Sequence, residues 1–364
     1  MWRVRKGHPR LYGRVTHDTR ACGEQRMSEK DARMPEPEPF AVTAADGYPI
    51  KGFVWRHRAG AADGEPRPVV IVNAATSVRC RYYFRFAGYL HRHGYDAIVY
   101  DYRGIGESRP VRLDRLDATW LDWGERDFEA VLRYALAEFP GQPIDVVAHS
   151  IGGFVAGLAP SNHLVRRVFT MGAQYAHWRD YAPRSRLAML WKWHVVMPAL
   201  SALFGYFPAK RLGWMEDTPK GVALSWSRSR PEFEDTYRHA PIERDDAQRR
   251  SLVRRFAAMR APVLAASVTD DPFGTIPAIE RLLRYFTRSR VVHLRIGPDA
   301  IGVDSIGHFA FFHSRFESTL WPIPFGWLKT GQLAPKTPGW IVSERDARAH
   351  ADAEPVVEHQ IVLL

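Results

Sequence analysis

The stretch "PIDVVAHSIGGFVAGLA", residues 143 to 159, decides how this chain is read. Its first half is a short β-branched apolar run, as in a strand buried on both faces; its second half is a small-residue apolar segment suited to a helix lying close on a sheet. Ser150 stands between them. A serine in a sharp turn from a buried strand into a helix projects its hydroxyl above the sheet edge, toward the free N–H groups and the positive dipole end of the helix. Such a turn requires small residues two places before and two places after the serine, and Ala148 and Gly152 satisfy this. Alanine at the first of these positions is acceptable if its φ stays negative. The competing reading is that Ser150 only caps the helix starting at Ile151, a common use of serine.

Outward from this stretch the chain alternates strand and helix signals. "FAVTAADGYPIKGFVWRH" (40 to 57) reads as an antiparallel hairpin turning at Asp46-Gly47. "RPVVIVNAA" (67 to 75), "YDAIVYDYRG", "LVRRVFTMGA" (164 to 173), "APVLAASV" (261 to 268) and "RVVHLRIG" (290 to 297) read as strands. "YYFRFAGYLHRHG", residues 120 to 139, 277 to 286 and 308 to 321 read as helices. Strand and helix in alternation predict an α/β fold with a mostly parallel, doubly wound sheet. The alternation stops between "MGA" and "APVLAASV", too long a gap for a simple loop. Residues 174 to 260 are therefore expected to be a helical, Trp-rich lid inserted between core segments 36–173 and 261–331, with Trp178, Trp191 and Trp226 as candidate substrate contacts. Residues 1–35 are expected to be a disordered or upstream basic leader, and 332–364 an irregular tail.

A serine hydroxyl needs a histidine to take its proton, and the histidine needs a carboxylate to fix its tautomer and stabilise the imidazolium. After the strand 261 to 268 comes Thr269-Asp270-Asp271-Pro272, and after the strand 290 to 297 a loop leads to Gly307-His308. Both lie past strand ends, where sites in parallel sheets form. Asp271 is the expected acid with Asp270 as fallback, and His308 the expected base with His313 as rival; a turn carboxylate or a structural histidine are the bland alternatives. An oxyanion would be held by the N–H of Ile151 and by one from Asn73-Ala74-Ala75-Thr76-Ser77, with Ala75 as the expected donor.

These segments, together with "DYRGIGES" (101 to 108), resemble the α/β-hydrolase superfamily, in its serine-aminopeptidase-like or monoglyceride-lipase-like branch. The resemblance spans most of residues 40 to 322. "NAATSV" and "GYFPAKRLGW…PKGVALSWSR" are similar to a bacterial subgroup of predicted hydrolases with no assigned substrate. It implies an eight-stranded sheet with helices on both faces, a nucleophile elbow, a Ser150–Asp271–His308 triad, and a structural role for "DYRGIGES". Ala148, Val268 and Asn73 depart from the branch, which commonly has glycine, glycine and histidine there; Asn73 alters the oxyanion loop's hydrogen bonding.

The chain carries 51 Lys and Arg against 40 Asp and Glu, a formal charge of +11. Residues 1 to 30 hold eight basic and three acidic residues, so much of the excess lies in the leader and no nucleic-acid motif accompanies it. Two cysteines, Cys22 and Cys80, make neither a disulfide framework nor a metal-binding spacing, and a cytoplasmic protein is expected. Residues 187 to 207 alone are long and apolar enough to suggest a membrane span; Lys192, His194 and Pro198 favour a buried or lid helix instead. The expected function is hydrolysis of an ester, or else an amide or thioester, of a small to medium apolar substrate without cofactor or metal. The alternatives are acyl transfer by the same triad, an aminopeptidase anchoring an amine on Glu216 or Asp217, and a non-catalytic binding protein. Oligomeric state is left open.

Overall fold

The computed structural model describes residues 36–57 and 66–347; the expectations for residues 1–35 and for the end of the tail lie outside the described residues. β1 (Glu38–Thr43) and β2 (Pro49–Trp55) form the expected hairpin, with Gly47 at a φ of 83° in its turn. β3 (Val69–Asn73), β4 (Asp96–Asp101), β5 (Ile144–His149), β6 (Val165–Met171), β7 (Val263–Val268) and β8 (Val291–Ile296) run parallel. Every residue of β3, β4, β5, β7 and β8 is buried, as their unbroken apolar runs predict.

Among the described residues the sheet has nine strands, the eight above and β9 (Trp340–Arg345), in the order β1-β2-β4-β3-β5-β6-β7-β8-β9. The ninth corrects two expectations, the strand count and the irregular tail: β9 pairs antiparallel with β8 at the sheet's edge. Prolines before it hid the strand, and an edge strand half open to water shows no clean alternation. From β3 the chain crosses toward one edge and from β5 toward the other, so the crevice of this sheet opens between the carboxyl ends of β3 and β5. Asn73, the last residue of β3, lies in register with Ala148, two residues before Ser150.

Helices cover both faces. The segment 120–138 is helical as expected, with a π-type turn at Trp123–Phe128, and Ile151–Leu158 follows Ser150 directly. Gly152 lets this helix settle on β3: a Cβ there would stand 2.4 Å from the Asn73 carbonyl oxygen. The predicted helix 308–321 is replaced by two 3-10 turns, Ala310–Phe312 and Ser314–Phe316, and the regular helix begins only at Pro322. Pro322 occupies the first turn of that helix, where a missing N–H costs nothing. The Trp321 indole N–H donates to the Phe311 carbonyl (2.8 Å), tying those turns into the core.

Residues 174–260 are largely helical, with Arg186–Phe204, Lys220–Ser227 and Asp246–Ala258 as their main helices and a two-residue ribbon, Tyr206–Phe207 with Thr218–Pro219. The helix Arg186–Phe204 is long and apolar enough to cross a membrane by length and composition. Of the expected buried or lid helix, one side is buried: Met189, Trp193 and Met197 pack inward, while Leu187, Trp191 and Val195 face outward.

Candidate functional site

Ser150 adopts φ 54° and ψ −121°, a conformation that costs about 1–3 kcal/mol for a residue with a Cβ and persists only where surrounding structure imposes it. The imposing contacts are its own N–H, which donates to the Met171 carbonyl of β6 (2.9 Å), and its carbonyl, which accepts from Gly153 (3.2 Å). Its side chain caps no N–H of the following helix, so the helix-cap reading does not hold. Ala148 is fully buried and is not among the residues with positive φ; its methyl fits the elbow without backbone strain.

His308 and Asp271 meet each other, and the His308 carbonyl contacts His149, the residue before Ser150 (2.8 Å). The His308 Nδ1–H donates to Asp271 Oδ2 (2.7 Å), which fixes the neutral tautomer and leaves the Nε2 lone pair available. Asp271 is fully enclosed: Oδ1 accepts the Phe273 N–H (2.8 Å), and the Gly274 N–H also points to the carboxylate. Burial alone would raise this carboxyl, but His308 and the two backbone N–H groups outweigh it and hold it below the usual carboxylate range. Two glycines make room. A Cβ on Gly172, at φ 59°, would stand 3.0 Å from Asp271 Oδ2 and 3.3 Å from His308 Nδ1; a Cβ on Gly274 would approach the same carboxylate oxygen to 2.4 Å. Buried Arg295 of β8 backs the loop by donating to the Gly274 carbonyl (2.7 Å).

Asp270, the fallback acid, is committed elsewhere. Its Oδ2 accepts from the Ser305 hydroxyl (2.8 Å) and from the N–H groups of Ile306 (2.9 Å) and Gly307 (3.0 Å), clasping the loop that delivers His308. His313, the rival base, lies exposed with its ring 5.7 Å from that of Tyr82.

The oxyanion side departs from expectation. The Ala75 N–H is not free: it donates to the Tyr83 hydroxyl (2.9 Å), which contacts His149 Nδ1 (2.8 Å), while His149 Nε2 contacts the His308 carbonyl (2.8 Å). Burial and nearby His308 push His149 down to about 3, so it is neutral at ordinary pH. A carbonyl only accepts, so Nε2 carries the proton, Nδ1 accepts from Tyr83, and the Tyr83 oxygen accepts from Ala75. Ile151 N–H, at the first turn of the helix, and Thr76 N–H make no hydrogen bond among the described residues. Asn73 bridges the two sides, accepting from the Tyr100 hydroxyl (2.9 Å) and donating to the Gly152 carbonyl (3.3 Å).

"DYRGIGES" is a set of clasps. Asp101 accepts from the N–H groups of Cys80 (2.7 Å) and Glu107 (2.9 Å), Arg103 pairs with buried Asp127 (2.6 Å), and the Ser108 hydroxyl donates to the Asp101 carbonyl (2.7 Å). Ser77, at φ 57°, joins the oxyanion turn to the insertion through the Thr218 hydroxyl (2.6 Å) and by accepting the Glu216 N–H (3.1 Å). Glu216 pairs with Arg79 and Asp217 with Arg109, so neither expected amine anchor is free.

Of the three expected tryptophan contacts, only Trp226 converges on the site. It stacks on Trp193 (centroids 4.6 Å), and both lie near Phe273 (6.1 and 6.2 Å), whose ring is 5.0 Å from His308. Trp191 points into solvent, and Trp178 packs beside His177 and Arg179. Tyr83, His149, Phe273 and Trp193 were not singled out by the sequence. His149 alone carried a signal there, a polar side chain ending an apolar strand.

His57, His91 and Asp96 each bring one potential metal-ligand atom within 4.8 Å of the others. The two rings stack at 3.8 Å, His57 Nε2 and His91 Nδ1 contact the carbonyls of His91 and Tyr95, and Asp96 Oδ1 already accepts the His57 backbone N–H.

Strand order, a strained serine after β5 and an Asp–His pair after β7 and β8 define an α/β-hydrolase. Residues 64–285 match the family model described as serine aminopeptidase, S33, and the chain belongs to that family of hydrolases. Among solved structures, an esterase of Pyrococcus furiosus aligns with a TM-score of 0.49 at 12% identity, covering 84% of this chain and 95% of that one. A putative hydrolase of Agrobacterium vitis gives 0.49 at 16% identity, covering 80% and 99%. A puromycin-hydrolyzing peptidase of Mycobacterium tuberculosis gives 0.47 at 14%, covering 79% and 38%. No curated protein matches the sequence significantly.

Proposed function

We propose that this hydrolase cleaves esters of apolar acyl groups through an acyl-enzyme on Ser150. The reading is carried by a serine held at φ 54° with an uncapped hydroxyl, together with a histidine, His308, whose Nδ1–H is fixed by a buried carboxylate at 2.7 Å and whose carbonyl contacts His149, the residue before Ser150. His308 Nε2 takes the serine proton as Oγ attacks the ester carbonyl, then returns it to the leaving alcohol; water attacks the acyl-enzyme in a second round of the same transfers. Asp271 remains ionised and stabilises the imidazolium. The Ile151 N–H is one oxyanion donor, and Thr76 N–H, next in the turn after the engaged Ala75, is the second.

An ester is preferred to an amide with a free amino end because Glu216 and Asp217 are both paired with arginines. An apolar acyl group is supported by the Phe273, Trp193 and Trp226 cluster next to His308. In this reading residues 174–260 act as a lid. The test is labelling by a fluorophosphonate probe together with turnover of p-nitrophenyl esters of increasing chain length. Both are expected in the native protein and absent in Ser150→Ala; labelling that survives the substitution overturns the assignment.

A further inference from the structure

The helix Arg186–Phe204 is apolar on two opposite sides. Its inward stripe, Met189, Trp193 and Met197, is packed, as the four-residue spacing of a helix face requires. Its outward side should then be polar, as in a helix that meets water. Instead Leu187, Trp191, Val195 and Leu203 are 78%, 64%, 43% and 75% exposed, and the exposed positions between them are Ala188, Ala199 and Ala202. Phe204 and Leu212 extend the patch at its end. Val111, fully exposed, belongs to the loop whose Asp114 lies against Gly205, the residue closing this helix.

Within the segment that carries the patch, charge is almost wholly of one sign, Lys210 being paired with Glu216 outside it and Asp114 lying at the helix end. Residues 174–214 contain Arg179, Arg184, Arg186, Lys192, Lys210 and Arg211 against a single acid, Asp180, which is buried and paired with Arg281. Lys192 lays its ammonium over Trp193 and Trp214 at the patch's flank, 4.4 and 3.7 Å from the ring centroids. A protein interface of this size carries several hydrogen bonds, whereas the outward face of this helix offers no hydrogen-bonding side chain except the Trp191 indole. A second copy of the chain would bring like charges together.

We infer that this face docks the protein on an anionic lipid bilayer, with the helix lying in the interfacial plane. The apolar stripe enters the acyl boundary and the flanking arginines and lysines meet the lipid headgroups. A transmembrane orientation is incompatible with the fold, because Trp193 on the opposite face is stacked against Trp226 beside the His308 cluster. Docking puts that cluster next to the bilayer, so the substrates are acyl esters that partition into lipid. This last step rests on the hydrolase reading; the docking does not.

The test is flotation of the full-length Ser150→Ala protein with vesicles of equal parts phosphatidylglycerol and phosphatidylcholine, compared with phosphatidylcholine alone. Association with the anionic vesicles is expected, weaker in high salt and weaker on the neutral ones. Adding Leu187→Asp and Trp191→Asp is expected to reduce it at least about tenfold, since both side chains lose a favourable apolar environment. The compared proteins carry the same basic residues 1–30, so the difference reports the stripe. Unchanged melting temperature, and unchanged fluorophosphonate labelling when Leu187→Asp/Trp191→Asp is made with Ser150 intact, shows that the fold survives. No association, equal association with both vesicle types, association indifferent to the two substitutions, or a dimer in sedimentation that they dissolve overturns the proposal. Labelling without docking rejects the surface alone; docking without labelling rejects the hydrolase reading alone.

Discussion

Two adjacent carboxylates make opposite predictions. In Asp271→Asn the residue keeps its size, and the side-chain oxygen can still accept the Phe273 N–H, but an amide NH₂ replaces the oxygen that accepts the His308 Nδ1–H. The imidazole then turns to the other tautomer, with its proton on Nε2, where it cannot take the serine proton. Loss of tautomer control of this kind costs about 10⁴ in kcat, equivalent to about 5 kcal/mol of transition-state stabilisation. Asp270→Asn instead weakens three hydrogen bonds to residues 305–307 while leaving the His308–Asp271 contact intact. Hydrogen bonds to a charged group are worth about 1.5–3 kcal/mol, so the melting temperature falls while kcat drops by less than about tenfold. The assay is kcat and KM on p-nitrophenyl butyrate alongside thermal unfolding. Equal loss of kcat in the two variants, or Asp271→Asn retaining a tenth of native activity, refutes the assignment of the acid.

Gly172→Ala forces a Cβ at positive φ toward Asp271 and His308, and is expected to lower both stability, by about 1–3 kcal/mol, and kcat; native-like values in unfolding and ester assays reject the close-approach argument. Phe273→Ala opens the ring contact between His308 and the Trp193–Trp226 pair, and should shift chain-length preference among p-nitrophenyl esters with less effect on acetate than on longer acyl groups. An identical profile across the series shows that this cluster does not line the acyl site. The melting temperature should fall as pH drops from about 6.5 toward 3, because unfolding lets His149 take up a proton that the folded state refuses. His149 thus contributes stability fully present above its unfolded value of 6.5, on the order of 4–5 kcal/mol across that window. Asp271, held below its ordinary value, acts in the same direction at still lower pH. His149→Gln should flatten the limb between 6.5 and 4; an undiminished slope assigns it to other groups.

What the chain disclosed in advance follows a simple division. Local pattern revealed β3 and β5, because a run buried on both faces needs no partner to be recognised, and it revealed the elbow, because small residues flank Ser150 on both sides. The order of strand ends then located Asp271 and His308. Direction across a helix surface was harder. Trp191 and Trp193 are two residues apart, about 200° around a helix, so one points to water and the other to the core. A count of tryptophans cannot separate them. The engagement of Ala75 was beyond local reading, since its partner Tyr83 belongs to the 3-10 turn Cys80–Tyr83 and is oriented by His149 from another strand.

That last contact joins three parts of the site that the sequence presents as separate. The turn after β3, the elbow after β5 and the His308 segment are linked through Ala75, Tyr83 and His149, and every donor and acceptor in the link has its direction fixed by the neutral imidazole. A buried histidine that titrated near neutrality would reverse the Tyr83 bond and release the Ala75 N–H whenever it gained a proton. Held down to about 3, it does not, and these hydrogen bonds keep their directions at ordinary pH. The cost is one backbone N–H withdrawn from the oxyanion side. In the proposed reading, the committed Ala75 leaves the Thr76 N–H as the second oxyanion donor; Ser77, at positive φ, accepts the Glu216 N–H and contacts the Thr218 hydroxyl, which ties that turn to the insertion. The insertion is thereby joined both to the turn after β3 and, through Trp193 and Trp226, to Phe273.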